Sequence, residues 1–313
     1  MATRTPSRRP TRRKAARDRR PIYALAAAAV VLVAAVVAAA VALTGGDDDP
    51  SPTAASDDPG VAHVHGLGVN PADGSIFVAT HYGMFRLAGD APAERVGDSY
   101  QDTMGFTVVG PDHFLGSGHP DVAGTREGLP GLLGLIESTD AGATWEPVSL
   151  LGEVDFHGLA YAHDQVYGWD STSGRFMVSA DRKAWDERST VDLYGFAVDP
   201  DDPDHILGGA PDGVVESTDG GRTWGAAGGP ALVVLSWDAD AGLWGADPAG
   251  EVWHRDAGGW TQAGELAGTP QAFLATPDAL YAAAGDHNTN RTGIYSSNDG
   301  GRTWELRYRD PEG

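Results

Sequence analysis

The chain combines one long apolar run with many short ones. Residues 22–43 read IYALAAAAVVLVAAVVAAAVAL and contain no charged side chain. At 1.5 Å per residue this run makes a helix of about 33 Å, which matches a bilayer core of about 30 Å. We therefore expect one N-terminal transmembrane helix here. Beyond residue 60 the apolar runs are short and are separated by turns rich in Asp, Gly and Pro, a pattern typical of β-strands.

The charges on either side of the long apolar run predict its direction in the membrane. Nine of the 22 lysines and arginines lie within the first twenty residues, and five aspartates follow the run between residues 47 and 58. The positive-inside rule then places residues 1–21 in the cytoplasm as a basic tail. Residues 44–60 carry no large apolar side chain, so we expect a flexible acidic linker. Residues 61–313 would lie on the extracytoplasmic side of the cell membrane.

A cleaved signal peptide is the alternative to this signal anchor. Ala40, Val41 and Ala42 form an acceptable small-x-small cleavage site, and cleavage there would make the protein secreted. The apolar run is longer than the roughly 7 to 15 residues of a usual signal-peptide core. This length favours an uncleaved, single-pass anchor.

Six repeats organise the remainder of the chain. Short apolar runs begin at residues 65, 104, 157, 194, 233 and 272, with spacings of 39, 53, 37, 39 and 39 residues. After each run come a turn, a second β-type run, and room for two further strands. Four strands in about 40 residues are typical of a propeller blade. The sequence therefore predicts an all-β, six-bladed β-propeller over residues 61–313.

Three octapeptides within the repeats share the pattern Ser-x-Asp-x-Gly-x-Thr-Trp. The Asp can accept hydrogen bonds from turn amides, the Gly permits positive φ, and the Trp can wedge between sheets. The recurring positions are Ser138, Asp140, Gly142, Trp145, Ser217, Asp219, Gly221, Trp224, Ser297, Asp299, Gly301 and Trp304. The pattern resembles the Asp-box, or BNR repeat, of sialidase-like propellers. That resemblance implies structural hairpins at the blade periphery rather than an active site.

The resemblance covers residues 61–313 and extends to the opening HVHGLGV and to ATHYG. Together these look like secreted bacterial proteins labelled as BNR-repeat or glycosyl hydrolase. A sialidase of this family grips its substrate with three arginines, the first in an Arg-Ile-Pro motif that this chain lacks. Authentic sialidase activity is therefore not expected, whereas glycoside hydrolysis by another pair of carboxylates remains open.

Histidines and acids recur at equivalent positions of the repeats. The first strand of each blade lines the central channel of a propeller, so residues at its start converge around the axis. The second strands end on the same face. We expect a ligand-binding channel mouth formed by His63, His65, His81, His119, His157, Tyr194, Gln271, Asp286 and His287. The candidate catalytic acids on this face are Asp102, Asp155 and Asp192.

Imidazoles suggest a transition metal, and a thioether among them would favour copper. The predicted metal ligands are His63, His65, His157 and Met104, for copper or zinc. The alternative is that these side chains only form hydrogen bonds around a water-filled channel mouth. Two insertions, at residues 119–132 and 286–292, flank this face, where long loops on a rigid scaffold commonly serve recognition.

Composition narrows the remaining function classes. The chain has no cysteine, which excludes disulfides, thiol nucleophiles and Cys-based zinc sites. Its net charge is −22, and from residue 61 onward 38 acids face 13 bases, so nucleic-acid binding is not expected. The favoured function is binding of a glycan, a partner protein or a metal ion at the mouth. Glycoside hydrolysis at the same face and a non-enzymatic assembly role are the alternatives.

Overall fold

Six antiparallel sheets of four strands each are arranged as the blades of a propeller. The structure is a computed structural model that describes residues 58–310, apart from residues 90, 92 and 287–290. The basic tail, the predicted membrane helix, most of the linker and His287 lie outside the described residues. Within the described ranges, no helix is long and apolar enough to cross a bilayer.

Each blade consists of four consecutive strands in sequence order. Blade 1 contains β1 (Val64–Val69), β2 (Ile76–Thr80), β3 (Gly83–Leu87) and β4 (Glu94–Val96). Blade 2 contains β5 (Asp102–Gly110), β6 (His113–His119), β7 (Leu135–Ser138) and β8 (Glu146–Ser149), with the short helix α1 (Val122–Arg126) between β6 and β7. Blade 3 contains β9 (Phe156–Ala162), β10 (Gln165–Asp170), β11 (Arg175–Ser179) and β12 (Asp186–Thr190).

The second half of the ring repeats this plan. Blade 4 contains β13 (Gly195–Val198), β14 (Ile206–Ala210), β15 (Gly213–Ser217) and β16 (Gly225–Ala226). Blade 5 contains β17 (Val234–Asp238), β18 (Gly242–Ala246), β19 (Glu251–Asp256) and β20 (Gly259–Glu265). Blade 6 contains β21 (Thr269–Ala275), β22 (Leu280–Asp286), β23 (Arg291–Ser297) and β24 (Glu305–Arg309).

The first strands of the blades form the inner ring. Each contacts the first strand of the next blade, from β1 through β5, β9, β13 and β17 to β21, and β21 contacts β1 again. This closed circuit confirms the predicted six-bladed propeller. Residues at the start of the first strands and at the end of the second strands therefore share one face, which we call the mouth.

An apolar core lies at every junction between blades. Phe77 and Phe114 pack between blades 1 and 2, with ring centroids 4.8 Å apart. Phe176 of blade 3 packs against Phe196 of blade 4, and Ile294 of blade 6 lies in one cluster with Val78 of blade 1. Burial of these faces holds adjacent blades together, since apolar surface removed from water contributes about 25 cal/mol per Å².

Within residues 58–310, every blade is built from four consecutive strands, so ring closure there involves no exchange of strands between the ends. Asp310, after the last strand, accepts hydrogen bonds from the backbone N–H groups of Val61 (2.9 Å) and Thr292 (3.1 Å). The Gln271 side-chain oxygen accepts from the N–H of Val64 at 3.0 Å. The Thr292 hydroxyl also donates to the Ala62 carbonyl, so three side chains of blade 6, Asp310, Gln271 and Thr292, hold residues 61–64.

The three octapeptides form nearly identical turns between the third and fourth strands of blades 2, 4 and 6. In each turn the serine hydroxyl accepts a bond from the glycine N–H at 2.8–2.9 Å, and the threonine hydroxyl donates to the aspartate at 2.6–2.7 Å. The glycines have φ between 80° and 88°, as the sequence predicts. Each tryptophan packs into the core between its own blade and the preceding one.

Candidate functional site

Four of the six first strands begin with a β-bulge, and each bulge carries a predicted site residue. The pairing with the second strand skips one residue at His65, at Met104, at His157 and at Gln271. A bulge bends its strand and re-aims the extra side chain. The repeated bulge therefore explains why the mouth collects functional side chains from blades distant in sequence.

His65, His81 and Asp102 form what we call the first cluster. The Nε2 atom of His65 lies 3.1 Å from Oδ1 of Asp102, and Nδ1 of His81 lies 3.0 Å from Oδ2 of the same carboxylate. One ligand atom from each residue lies within 4.8 Å of the other two. The His63 ring contacts the His65 ring edge-on, with centroids 4.8 Å apart.

Burial is uneven across the first cluster. The side chains of His65 and Asp102 are 10% and 15% exposed, whereas that of His81 is 39% exposed. The His65 Nε2 and Asp102 Oδ1 atoms are both buried, and each has the other as its polar contact at 3.1 Å.

The electrostatics of the first cluster follow from this burial. Burial lowers the pKa of His65, although the nearby Asp102 carboxylate opposes the shift. The His63 side chain is exposed on one side. Desolvation by the protein around its other side, followed by repulsion from the His65 and His81 imidazoles when they are charged, lowers its pKa to about 3. Burial would raise the pKa of Asp102, but the imidazole nitrogens of His65 and His81 outweigh it and hold that pKa below its usual range. The hydrogen bond to Asp102 raises the pKa of His81 despite its partial burial. Metal ligands require neutral imidazoles beside an ionised carboxylate, so a metal ion here would have to displace the proton shared between His81 and Asp102.

His119, Asp155 and His157 form what we call the second cluster. Oδ2 of Asp155 lies 2.8 Å from Nε2 of His157 and 3.5 Å from Nε2 of His119. Contact with this carboxylate raises the pKa of His119 to about 9. Asp155 is 5% exposed at its side chain, and its Oδ1 atom has no hydrogen-bond partner.

The two clusters are neighbours because of the strand register. Asp102 on β5 is the direct antiparallel partner of His119 on β6. The close approach of these strands requires glycine at position 118, which has φ of 137° and whose Cβ would lie 2.0 Å from the Asp102 carbonyl oxygen. The mouth therefore presents one continuous patch of His63, His65, His81, His119, His157, Asp102 and Asp155.

The first insertion is folded against this patch. Asp121 caps helix α1 by accepting from the Gly124 N–H at 2.8 Å, and its other oxygen accepts from the Tyr100 N–H at 3.1 Å. The Gly131 carbonyl contacts Nδ1 of His119 at 2.8 Å. The insertion thus fixes the orientation of a site side chain.

The other predicted site residues lie apart from the two clusters or serve the fold. Gln271 uses its side-chain oxygen in ring closure. Asp192 and Tyr194 are exposed before β13, and burial together with the Asp192 charge raises the pKa of Tyr194. Asp286 ends β22 opposite Arg291. Met104 occupies its bulge on β5, within the ring of first strands.

The four predicted metal ligands differ from the three residues whose ligand atoms lie within 4.8 Å of one another in the structure. Of His63, His65, His157 and Met104, only His65 belongs to the first cluster. His81 and Asp102 complete that cluster instead, because the second strand of blade 1 ends beside the first strand of blade 2. Alignment of equivalent positions did not reveal this contact, since the two residues occupy different columns of the repeat.

Comparison with known proteins supports the fold and leaves the family open. No family model matches the chain. One curated relative, the dispase autolysis-inducing protein of Streptomyces mobaraensis, is 30% identical over 93 residues. That match covers 29% of this chain and spans a quarter (25%) of the relative's length.

Solved structures share the propeller architecture at low sequence identity. A chain of a nidogen/laminin complex matches 72% of this protein, with 89% of its own length covered, a TM-score of 0.56 and 14% identity. An ancestral GH74 enzyme matches 81% of this protein with a TM-score of 0.50 and 14% identity, although only 39% of that enzyme is covered. Such likenesses establish the fold alone, so the function has to be argued from the site.

Proposed function

We propose that this protein is a membrane-anchored, extracytoplasmic propeller of the sialidase-like Asp-box type that binds a divalent transition-metal ion at its mouth. The metal ligands are His65, His81 and Asp102. Two imidazoles and one carboxylate suit zinc or copper, and they leave coordination positions open toward the channel. The His81 side chain is exposed at the mouth, which gives the ion a path from solvent.

The observation that carries this proposal is the convergence of three ligand atoms, since one atom each of His65, His81 and Asp102 lies within 4.8 Å of the other two. His65 Nε2 and Asp102 Oδ1 form a buried contact at 3.1 Å. Two ligands bound to one metal at about 2.0–2.2 Å are separated by roughly 2.9–3.4 Å. A metal ion between them would satisfy both atoms at the spacing they already have.

Direct binding measurements test this proposal. The full-length chain, purified in detergent without chelator or affinity metal, is titrated with Zn²⁺ and with Cu²⁺ in 0.15 M salt, which screens weak binding to surface acids. We expect stoichiometric binding, and we expect His81→Ala to lower the metal affinity by more than about 100-fold. Loss of a residue that only supports a metal ligand already lowers metal affinity by roughly 10- to 100-fold.

His254→Ala is the matched control, since His254 stacks on Trp244 in blade 5 and belongs to neither cluster. This variant should bind metal as the wild type does. Equal affinity of the wild type and His81→Ala would contradict the proposed ligand set. The histidines would then be pocket lining, and glycan screens would follow.

A further inference from the structure

The second cluster reproduces the ligand set of the first. Each contains two histidines and one aspartate, and the aspartate and one histidine come from equivalent places in the fold. The histidine lies at or just after the end of a second strand (His81, His119), and the aspartate lies at or just before the start of the next blade's first strand (Asp102, Asp155). The bulge histidine completes the set, His65 from the preceding blade in one case and His157 from the following blade in the other.

The contacts around His119 orient it as metal-binding histidines are oriented. Its Nδ1 atom lies 2.8 Å from the Gly131 carbonyl oxygen, which can only accept a hydrogen bond. Contact with Asp155 raises the pKa of His119, so a metal ion must displace the proton on Nε2. His119 then keeps its Nδ1 proton on the Gly131 carbonyl and offers the Nε2 lone pair to the ion. Metal-ligating histidines characteristically donate their second N–H to a carbonyl or carboxylate.

Asp155 supplies an independent observation. Its side chain is 5% exposed, and Oδ1 is buried with no hydrogen-bond partner. Oδ2 accepts from Ser171 at 3.3 Å and contacts His157 at 2.8 Å. Oδ2 is thus positioned by His157 and Ser171, while the buried Oδ1 has no hydrogen-bond partner among the described residues and remains available as a second ligand atom.

We propose that His119, Asp155 and His157 form a second divalent transition-metal site beside the first, so that the mouth holds a pair of ions. This inference rests on the proposed function for the first cluster. The second site is more open, since His119 Nε2 lies 3.5 Å from Asp155 and both histidines are more than a third exposed. The two sites adjoin because Asp102 and His119 pair across β5 and β6.

Metal stoichiometry tests the pair of sites. We expect the full-length wild-type chain to bind two equivalents of Zn²⁺ or Cu²⁺. The double variant His119→Ala/His157→Ala and the double variant His65→Ala/His81→Ala should each bind one equivalent, and the combined variant none. Thermal unfolding followed by tryptophan fluorescence verifies that each variant is folded.

The possible results separate this inference from the proposed function. One equivalent in the wild type that His119→Ala/His157→Ala retains would overturn the second site and leave the first intact. One equivalent lost only in that variant would support the second site and overturn the first. No binding by the wild type would overturn both.

A measurement on the unaltered protein removes dependence on the variants. Two Cu²⁺ ions in adjoining sites should show magnetic dipolar coupling in electron paramagnetic resonance when two equivalents are loaded. At one-tenth of an equivalent most bound ions have no neighbour, so the coupling should disappear. An uncoupled spectrum at full loading would contradict the adjoining pair.

Discussion

At the scale of single residues, the serine of each octapeptide turn organises the hydrogen bonds around it. The buried hydroxyl of Ser217 donates to Asp219 at 2.8 Å and accepts from the Gly221 N–H at 2.8 Å. Ser217→Ala leaves that buried N–H without a partner, so we expect a loss of about 1–3 kcal/mol in the free energy of unfolding. Urea unfolding measures this loss. Thr218→Ala, an exposed position of the same turn, should change stability little.

The aspartates of the turns predict how stability depends on pH. Hydrogen bonds from Thr223, Ser217 and the turn backbone lower the pKa of Asp219 from 3.8 to about 2, and equivalent bonds do the same for Asp299. A carboxyl whose pKa is lower in the folded state stabilises the fold above its unfolded pKa. That contribution is lost as the pH falls through the folded pKa.

The test compares urea midpoints of the wild type and Asp219→Asn/Asp299→Asn from pH 6 to pH 2. The wild type should be the more stable above pH 4, and the difference should shrink between pH 4 and pH 2. A difference that does not change with pH would show that the charges of these carboxylates contribute nothing. Asn keeps the side-chain shape but replaces one accepting oxygen with an NH2 group, so only the pH-dependent part of the difference reports ionisation.

A local backbone prediction from a residue type was confirmed at Gly142, which adopts the positive φ expected of its turn. Among the histidines predicted for the mouth, His65 and His81 contact Asp102, and His119 and His157 contact Asp155. The choice of ligand set did not follow from sequence. His81 contacts Asp102 across a blade boundary, and that distance depends on how two sheets pack rather than on any local pattern.

At the scale of elements, the repeats predicted the number of blades but not the register of their strands. The bulges at His65 and His157 leave no mark in the sequence, because a bulge is defined by pairing with another strand. The hydrogen bonds between adjacent blades also depend on tertiary packing, so local sequence patterns do not predict them. The Trp224 indole N–H donates to Ser189 of the preceding blade at 3.1 Å, and Ser189 in turn donates to the Gly221 carbonyl.

Ring closure yields a prediction at this scale. Asp310 is 7% exposed and accepts from two backbone N–H groups, those of Val61 and Thr292. Asp310→Ala would leave both donors unpaired, so we expect a loss of about 2–4 kcal/mol in the free energy of unfolding. Asp278→Ala, in an exposed turn of the same blade, is the control. Equal urea midpoints for the two variants would show that closure does not depend on this carboxylate.

At the scale of the whole molecule, the charge is distributed unevenly along the chain, and this distribution affects how metal ions reach the mouth. The body from residue 61 onward carries 38 acids against 13 bases, whereas the first twenty residues carry nine bases and one acid. An acidic body attracts divalent cations to its surface and raises their local concentration, an effect that salt screens. This field would favour delivery of metal to the mouth without itself forming a specific site.

The same asymmetry underlies the prediction for membrane attachment. Residues 22–43 lie outside the described structure, and their length, apolarity and basic flank predict an uncleaved anchor with the propeller outside the cytoplasm. The full-length protein should therefore sediment with membranes, resist extraction by carbonate at pH 11, and enter solution only with detergent. Protease added to cells stripped of their wall should degrade the propeller and spare a small fragment containing the tail.

N-terminal sequencing of the isolated protein distinguishes an anchor from a cleaved signal peptide. A mature chain that begins near residue 43 and appears in the medium would refute the anchor, because cleavage after Ala42 removes all but the last residue of the apolar run. The metal proposals would survive that result, since both clusters lie between residues 65 and 157. An anchored propeller would hold its metal at the cell surface, whereas a released one would carry it away, so this measurement decides where the binding site acts.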